Sequence, residues 1–305
     1  MPTPVRSYRH DVDYERVSRF LIDAYKPGDN LGTWLQPRWE YMHHHSYIDE
    51  LPLERIGVLE TNERIVGVVH FEHHPPHIYT QVAPGHDGVG EDLLDYAETQ
   101  LADISECLGR SVLGLFVDNF DTAMNQLVAE RGYQLQSHEQ EEHSRLELTE
   151  ELPGRDLPEG FRLQSLAEDN DLEKIHRVLW RGFGHDGPPP PDEIEERRRM
   201  QEAPNYHKDL TMVVVAPNGD YASYCGMWYV PENSVAYVEP VATDPDYRRL
   251  GLGAAAVSES LNRVRRLGAE AAWVGSGQDF YAALGFRIAY QSHLWISPEG
   301  RVASH

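Results

Sequence analysis

Residues 235–286 read VAYVEPVATDPDYRRLGLGAAAVSESLNRVRRLGAEAAWVGSGQDFYAALGF, and the succession of elements in this stretch decides the fold. Val235 to Ala242 is rich in β-branched and aromatic residues, the composition of a buried strand. Arg248-Arg249-Leu250-Gly251-Leu252-Gly253 follows and leads straight into AAAVSESLNRVRRLG, a run of helix formers that stops at Gly268. A second strand and a second helix complete the stretch. Glycines at the entrance to a helix let bare N–H groups approach a ligand, and the helix dipole favours negative charge there. Such a turn suits a diphosphate, although the same residues also make an ordinary structural turn.

Three spaced patterns add context. V-x-x-x-x-P at Val235–Pro240, R-x-x-G-x-G at Arg248–Gly253 and F-Y-x-x-L-G-F at Phe280–Phe286 together resemble the coenzyme A-binding core of the GCN5-related N-acetyltransferases. The likeness is close over 235–286 and looser over the second half from about Phe161. It implies acetyl-CoA as cosubstrate, held at the strand end Val241, Ala242 and Thr243. The backbone of Arg249, Leu250, Gly251, Leu252, Gly253 and Ala254 would then cradle the diphosphate. Arg248 would support the turn and Arg249 would reach a phosphate, unless both simply solvate the surface. The resemblance also implies that Glu239 takes the acceptor amine's proton, through water, and that Tyr281 protonates the departing thiolate. Both residues have plainer readings, a strand carboxylate facing solvent and an aromatic packed under the last strands. Pro240 cannot donate to a ladder, which predicts a bulge or a splayed edge beside Glu239. Ser276 is expected to cap the helix carrying Tyr281, with Asp279 three residues on. Many family members carry there an asparagine that contacts pantetheine, and Ser276 takes its place in the expected site.

Composition narrows the function classes. The chain has 50 acidic and 27 basic residues, a net charge of −23, and only three lysines, Lys26, Lys174 and Lys208. Such an excess suits a protein in concentrated salt, where hydrated carboxylates keep it soluble, or a merely acidic one. It offers no basic face to nucleic acid. No run of about 18 apolar residues exists to span a membrane. The opening MPTPVRSYRHDVDYE lacks the apolar core of a secretory signal. Cys107 and Cys225 lie in different halves, so a reducing cytoplasm without a disulfide is expected.

At 305 residues the chain has room for two domains. Val17, Phe20, Leu21 and Tyr25 mark one face of a first helix, which KPGDN should break. A less regular helix is expected over WLQPRWEYMHHHSYID, and strands over RIGVLE, RIVGVVHFE and HIYTQVAPG. A helix over 90–109, a strand over 110–117 and a helix over 122–132 follow. In the second half Asp169 or Asn170 should cap a helix, GHDGPPPP makes a rigid loop, and DEIEERRRMQEA an exposed helix. LTMVVVA and YASYCGMWYV flank the hairpin pair Asn218-Gly219.

This order repeats. VAPGHDGVGEDLL stands to ATDPDYRRLGLGAAAV as LVAERGY stands to FYAALGF. The fold class expected is α/β, with two tandem acetyltransferase-fold domains at 1–152 and 153–305. Each should be a mixed, mostly antiparallel sheet flanked by helices. The first copy lacks the site: Ile78 stands where Glu239 does, Val128 where Tyr281 does, and a turn shortened to HDG has no counterpart of Arg248. Residues 1–152 carry 28 acidic and 11 basic residues, a net of −17, a poor setting for a polyanionic coenzyme. That copy reads as a non-catalytic scaffold. Neither His43-His44-His45 nor the group His70, His73, His74 and His77 has metal-ligand spacing; the latter reads as a polar loop around Pro75-Pro76. Trp180, Phe183 and His185 precede the loop where the resemblance places an acceptor pocket, with core packing the stronger reading for the two aromatics. The sequence therefore predicts an acetyl-CoA-dependent transferase acting on a small-molecule or peptide amine, without metal. A coenzyme-binding regulator of the same fold is the rival, and the oligomeric state stays open.

Overall fold

Strand pairing, rather than position along the chain, divides this protein into its two units. The computed structural model describes residues 4–26, 34–105 and 107–303. One unit gathers the described residues of Met1–Met42, Tyr47–His143 and Ile288–His305, the other those of His43–Ser46 and Ser144–Arg287. The expected single cut at 152/153 differs from this division for a physical reason. Residues 144–147 are laddered to 271–274, and residues 292–296 to 114–118. A Pro/Gly-rich stretch marks a flexible joint, but backbone donors and acceptors go wherever a partner strand lies.

The first unit runs β1 (Arg6–Ser7), α1 (His10–Ala24), α2 (Gln36–His44), β2 (Gly57–Thr61), β3 (Arg64–His70) and β4 (His77–Val82). It continues α3 (Gly90–Gln100), β5 (Asp103–Ser105), β6 (Arg110–Val112), β7 (Gly114–Asp118), α4 (Thr122–Glu130) and the start of β8 (Gln134–Glu147). Asn62 and Glu63, at φ 52° and 65°, make the β2–β3 turn. The expected helix over 90–109 stops at Gln100, because Asp103–Ser105 turns back to pair with Arg110–Val112. The expected strand over 110–117 is interrupted at Leu113, whose N–H donates to Ser297 Oγ at 2.9 Å. His73, His74 and His77 are exposed as a polar loop should be, but His70 is core, 4.4 Å ring to ring from Trp34. The break expected at KPGDN falls, beyond Lys26, outside the described residues.

The second unit adds β9 (Arg162–Ser165), α5 (Leu172–Gly182), α6 (Ile194–Met200), β10 (Met212–Val215), β11 (Tyr221–Val230) and β12 (Val235–Thr243). It ends with α7 (Leu252–Arg266), β13 (Ala271–Val274) and α8 (Asp279–Ala282); β14 (Arg287–Ile296) then joins the first unit beside β7. Asp171, not Asp169 or Asn170, caps α5 by accepting from the Lys174 N–H at 3.1 Å. Gly219, at φ +89°, closes the hairpin expected at Asn218-Gly219. On α7, Leu252, Ala255, Ala256, Leu261 and Val264 are buried at helical spacing, so the helix is pinned along one face. Each fully buried leucine or valine contributes about 1.5–3 kcal/mol to that docking.

The units repeat one plan, as the sequence periodicity predicts. A three-stranded meander, β2-β3-β4 or β10-β11-β12, is followed by a helix, and its last strand then pairs in parallel with β7 or β13. The pairs β1-β2, β9-β10, β10-β11, β8-β13 and β7-β14 are antiparallel, so each sheet is mixed and mostly antiparallel, flanked by helices. Among the described residues no helix is long and apolar enough to cross a membrane.

Candidate active site

Two irregularities of β12 shape the site. Its parallel ladder with β13 ends at Tyr237↔Trp273, and from Val238 onward the two strands part. On its other edge the register slips between Met227↔Val238 and Cys225↔Val241, leaving Gly226 opposite Glu239-Pro240. A Cβ on Gly226 would lie 2.2 Å from the Glu239 carbonyl oxygen, so only glycine fits there. The Trp228 indole N–H donates to that same carbonyl at 2.8 Å. The bulge and the splayed edge expected from Pro240 are both present, with the Glu239 side chain half-buried between them.

The strand then ends in a braced turn. Val241, Ala242 and Thr243 pair with Cys225, Tyr224 and Ser223, and Thr243 Oγ1 lies 3.0 Å from Ser223 Oγ. Asp244 is fully buried, accepting from Arg181 Nε at 2.8 Å, Arg177 Nη1 at 3.0 Å and the Asp246 N–H at 3.0 Å. Burial alone would raise its carboxyl, but these donors outweigh it and hold the group below the usual carboxylate range. Arg248 donates to Thr243 O at 3.3 Å and to Gly182 O at 2.9 Å, so it ties the turn to the end of α5. Arg249 is exposed and, among the described residues, unpartnered. Arg249 and Gly251 take left-handed φ of 65° and 78°, which turns successive N–H groups the same way.

Those groups have no internal partner. Among the described residues, none of the N–H groups from Arg249 to Ala254 makes a hydrogen bond; the first in the helix is Ala255 to Gly251 O at 3.0 Å. Leu250 and Gly251 are exposed, while Leu252 and Gly253 are buried at the foot of α7. A Cβ at Gly253 would sit 3.0 Å from Thr243 Oγ1, so a larger residue would close the cradle against the strand end. No acidic residue occupies the first turn of α7. Six orphan donors, a helix dipole and a free guanidinium fit a diphosphate.

Tyr281 begins the other wall. Its ring is 9% exposed and packs edge-on against Phe280 at 4.9 Å and Phe286 at 5.8 Å. Its hydroxyl has no partner among the described residues. Burial, and then the nearby Cys225 and Glu239, raise this phenol well above its ordinary value, so it stays protonated and can only donate. The structure thus brings Glu239 and Tyr281 into one electrostatic neighbourhood. Cys225, which the sequence did not single out, lies there too, fully buried, its thiol pushed up to about 12 by burial.

Other expectations are corrected. Ser276 does not cap α8: the N-cap is Gln278, and Ser276 Oγ accepts only from the Gln278 N–H at 3.3 Å. Phe183 is 57% exposed rather than core. Trp180 is half-buried, stacked on exposed His185 at 4.4 Å, and donates to Gly187 O at 3.1 Å. These three therefore form a surface flap at the end of α5. The brace of Asp244 by Arg177 and Arg181 was missed, although two arginines four apart facing an Asp-Pro turn were there to be read. Among the described residues no three His, Cys, Asp or Glu converge as metal ligands. In the first unit Ile78 and Val128, at the positions matched to Glu239 and Tyr281, are both fully buried core.

Residues 172–286 match the sequence model of the acetyltransferase (GNAT) family. A comparison with curated proteins returned no match. Among solved structures, a GCN5-related N-acetyltransferase from Sphaerobacter thermophilus aligns with a TM-score of 0.62 at 14% identity, covering 99% of this chain and 96% of its own. A tandem GNAT protein from the clavulanic acid biosynthesis pathway aligns with a TM-score of 0.64 at 15% identity, over 96% and 97%. A glucosamine N-acetyltransferase region in a fungal multi-domain β-N-acetylglucosaminidase aligns with a TM-score of 0.54 at 14% identity, over 97% of this chain and 38% of that one. At such identities these likenesses concern the fold, which is a tandem of two acetyltransferase-type domains.

Proposed function

We propose, on the match of residues 172–286 to the acetyltransferase (GNAT) family model, that the second unit moves an acetyl group from acetyl-CoA to a primary amine by direct attack. The observation that carries this reading is the run of six unpartnered N–H groups, Arg249 to Ala254, beside the parted end of β12. The cosubstrate supplies a thioester, an acyl carbon already activated towards amines. The chain supplies position and protons. The turn holds the diphosphate, with Arg249 reaching a phosphate and Arg248 and Asp244 keeping the turn in shape. The strand edge at Val241–Thr243 offers backbone groups to the pantetheine amides. Glu239 receives the amine's proton through water, and the Tyr281 hydroxyl gives one to the departing sulfur. Cys225 is a poor nucleophile, because a thiol pushed up to about 12 holds almost no thiolate at neutral pH. That favours direct attack over a covalent acyl-enzyme on sulfur.

The acceptor is a small-molecule or peptide amine, and the first unit serves as a scaffold without turnover. Free thiols at exposed Cys107 and buried Cys225 fit a reducing, cytoplasmic setting. Titration calorimetry with coenzyme A tests the reading: one site per chain is expected, abolished by Gly251→Asp, which forces a side chain into left-handed φ and puts a carboxylate at the cradle. A thiol-release assay over a panel of amines completes the test. Coenzyme binding without release on any amine would leave a regulator of the same fold, and two equivalent sites would sink the scaffold role of the first unit.

A further inference from the structure

The first unit has its own parted strands, and what lines them is not scaffold-like. β4 and β7 pair at His77↔Gly114 and Ile78↔Leu115; beyond, they border a small cleft that is partly open to solvent. Trp34, Tyr79, Phe116 and Tyr290 give it aromatic walls, and Asp118, Asp121, His143 and Ser292 line it with polar groups. All eight belong to the first unit.

The polar groups form a directed chain. Ser292 has one hydroxyl proton and donates it to Asp118 Oδ1 at 2.5 Å, so His143 Nε2–H donates to Ser292 Oγ at 3.1 Å. Burial, and then Arg38, lower His143 well below its usual range, so the ring is neutral and the chain ends on one carboxyl. Asp121 caps α4, its Oδ1 accepting from the Met124 N–H at 2.9 Å. Among the described residues neither Asp118 nor Asp121 has an ion-pair partner. The nearest guanidinium, Arg38, lies 4.6 Å over the Trp34 ring and is already engaged by both oxygens of Glu72 and by Glu141 at 3.4 Å. Tyr79 donates to Glu141 at 2.5 Å and so leaves that carboxylate's charge in place. Glu72 and Glu141 thus already engage this guanidinium, while Asp118 and Asp121 pair with no cation among the described residues. Burial pushes Asp118 up to about 7, and the neighbouring Asp121 and Glu141 add to this against the Ser292 hydrogen bond and Arg38. The Trp34 indole N–H, in the same wall, is buried without an acceptor.

Unmatched negative charge among aromatic faces selects for one ligand class, because ring faces and carboxylates both attract cations and the rings also shed water from a carbon skeleton. We propose that this cleft binds a small organic cation, a primary or methylated amine, with its ammonium group against Asp118 and its carbon skeleton on the aromatic wall. The proposal is independent of acetyl transfer in the second unit.

The full chain, without coenzyme, is titrated with n-butylammonium and tetramethylammonium chloride, followed by tryptophan fluorescence and calorimetry. n-Butanol and butyrate serve as controls of matching size. Saturable binding of both cations and of neither control is expected. Asp118→Asn keeps an oxygen for Ser292 and removes the charge, and should weaken binding roughly ten-fold or more. Should that variant fail to fold, Phe116→Leu keeps apolar volume, removes a ring, and should weaken tetramethylammonium by roughly three-fold or more. Glu239→Gln should leave both affinities unchanged. Equal binding of butanol, no saturable binding of either cation, wild-type affinity in a folded Asp118→Asn, or loss of binding in Glu239→Gln alone would each overturn the proposal.

Discussion

Helices α3 and α7 open at equivalent points of the two units, each after the last strand of a meander and before a parallel partner. At α7 the preceding turn is left-handed at Arg249 and Gly251, and the first helical turn carries no acid. At α3 the turn is shorter, Val89 caps it with right-handed backbone, and Glu91 and Asp92 sit in the first helical turn. Carboxylates there satisfy the dipole from within, worth about 0.3–1 kcal/mol each, and repel any anion that approaches. The parted strands differ in the same sense. One cleft holds Glu239 and a phenol kept protonated; the other buries Ile78 and Val128 in the core and lines its opening with unmatched carboxyls. One topology thus presents two opposite electrostatic environments, and the difference rests on a few residues at one helix entrance and one strand edge.

The contrast breaks most visibly at the proposed acid. Tyr281→Phe should lower turnover by roughly 10²–10⁴-fold, the usual contribution of a general acid, with coenzyme affinity nearly unchanged. Glu239→Gln should flatten the acidic limb of the pH–rate profile. Wild-type turnover in both variants would return these residues to packing and solvent roles, and the two clefts would differ less than argued.

A smaller effect tests the brace, which the first unit's shorter turn lacks. Asp244→Asn leaves Arg177 and Arg181 facing a neutral amide in place of a buried carboxylate. With both arginines a third exposed, the loss should be about 2 kcal/mol at pH 7, with weaker coenzyme binding. Because the folded carboxyl titrates below its unfolded value, this stabilisation is full above about pH 4 and disappears as pH falls further. Urea melts of variant and wild type should therefore converge in acid. A constant gap across pH would assign the loss to packing.

The smallest effect is expected from salt. Self-repulsion across a net charge of −23 weakens as the Debye length falls from about 10 Å at 0.1 M to about 3 Å at 1 M. Melting temperature should rise by about 5 °C from 0.1 M to molar potassium chloride, about 1–2 kcal/mol for units of this size. The first unit, holding most of the charge, should unfold earlier. A flat response would leave an acidic surface without adaptation to salt.

Legibility followed how local each signal is. The stretch 235–286 was readable because glycine, proline and β-branched residues act on their own few φ and ψ angles, and the bulge at Pro240 and the entrance to α7 both appear where those residues demand them. β8 was not readable: QLQSHEQEEHSRLE has no apolar alternation, and its strand character comes from the ladders that receive it. The same cause sets the contact-based division apart from a single cut at 152/153. His70 read as loop because imidazole is polar, yet burial pushes it down to about 4 and it stacks as a neutral ring among Trp34, Trp39 and Tyr79. Phe183 failed in the opposite direction, as an aromatic at a helix end that the following loop leaves exposed. The cleft at Asp118 could not be read at all, since its lining comes from five separate segments of the chain.

The assignment of residues 288–303 to the first unit sets the order of events during synthesis. β7 waits for β14 as its antiparallel neighbour, and Leu113 waits for the Ser297 hydroxyl. On the ribosome, the N-terminal unit therefore carries an open β edge until nearly every residue of its successor has been translated. Long-range closures of this kind are slow, and an unpaired edge is a surface on which other nascent chains can add strands. Along β8 the exposed positions are crowded with Glu and Gln, side chains that discourage such addition while the missing strand is still being made.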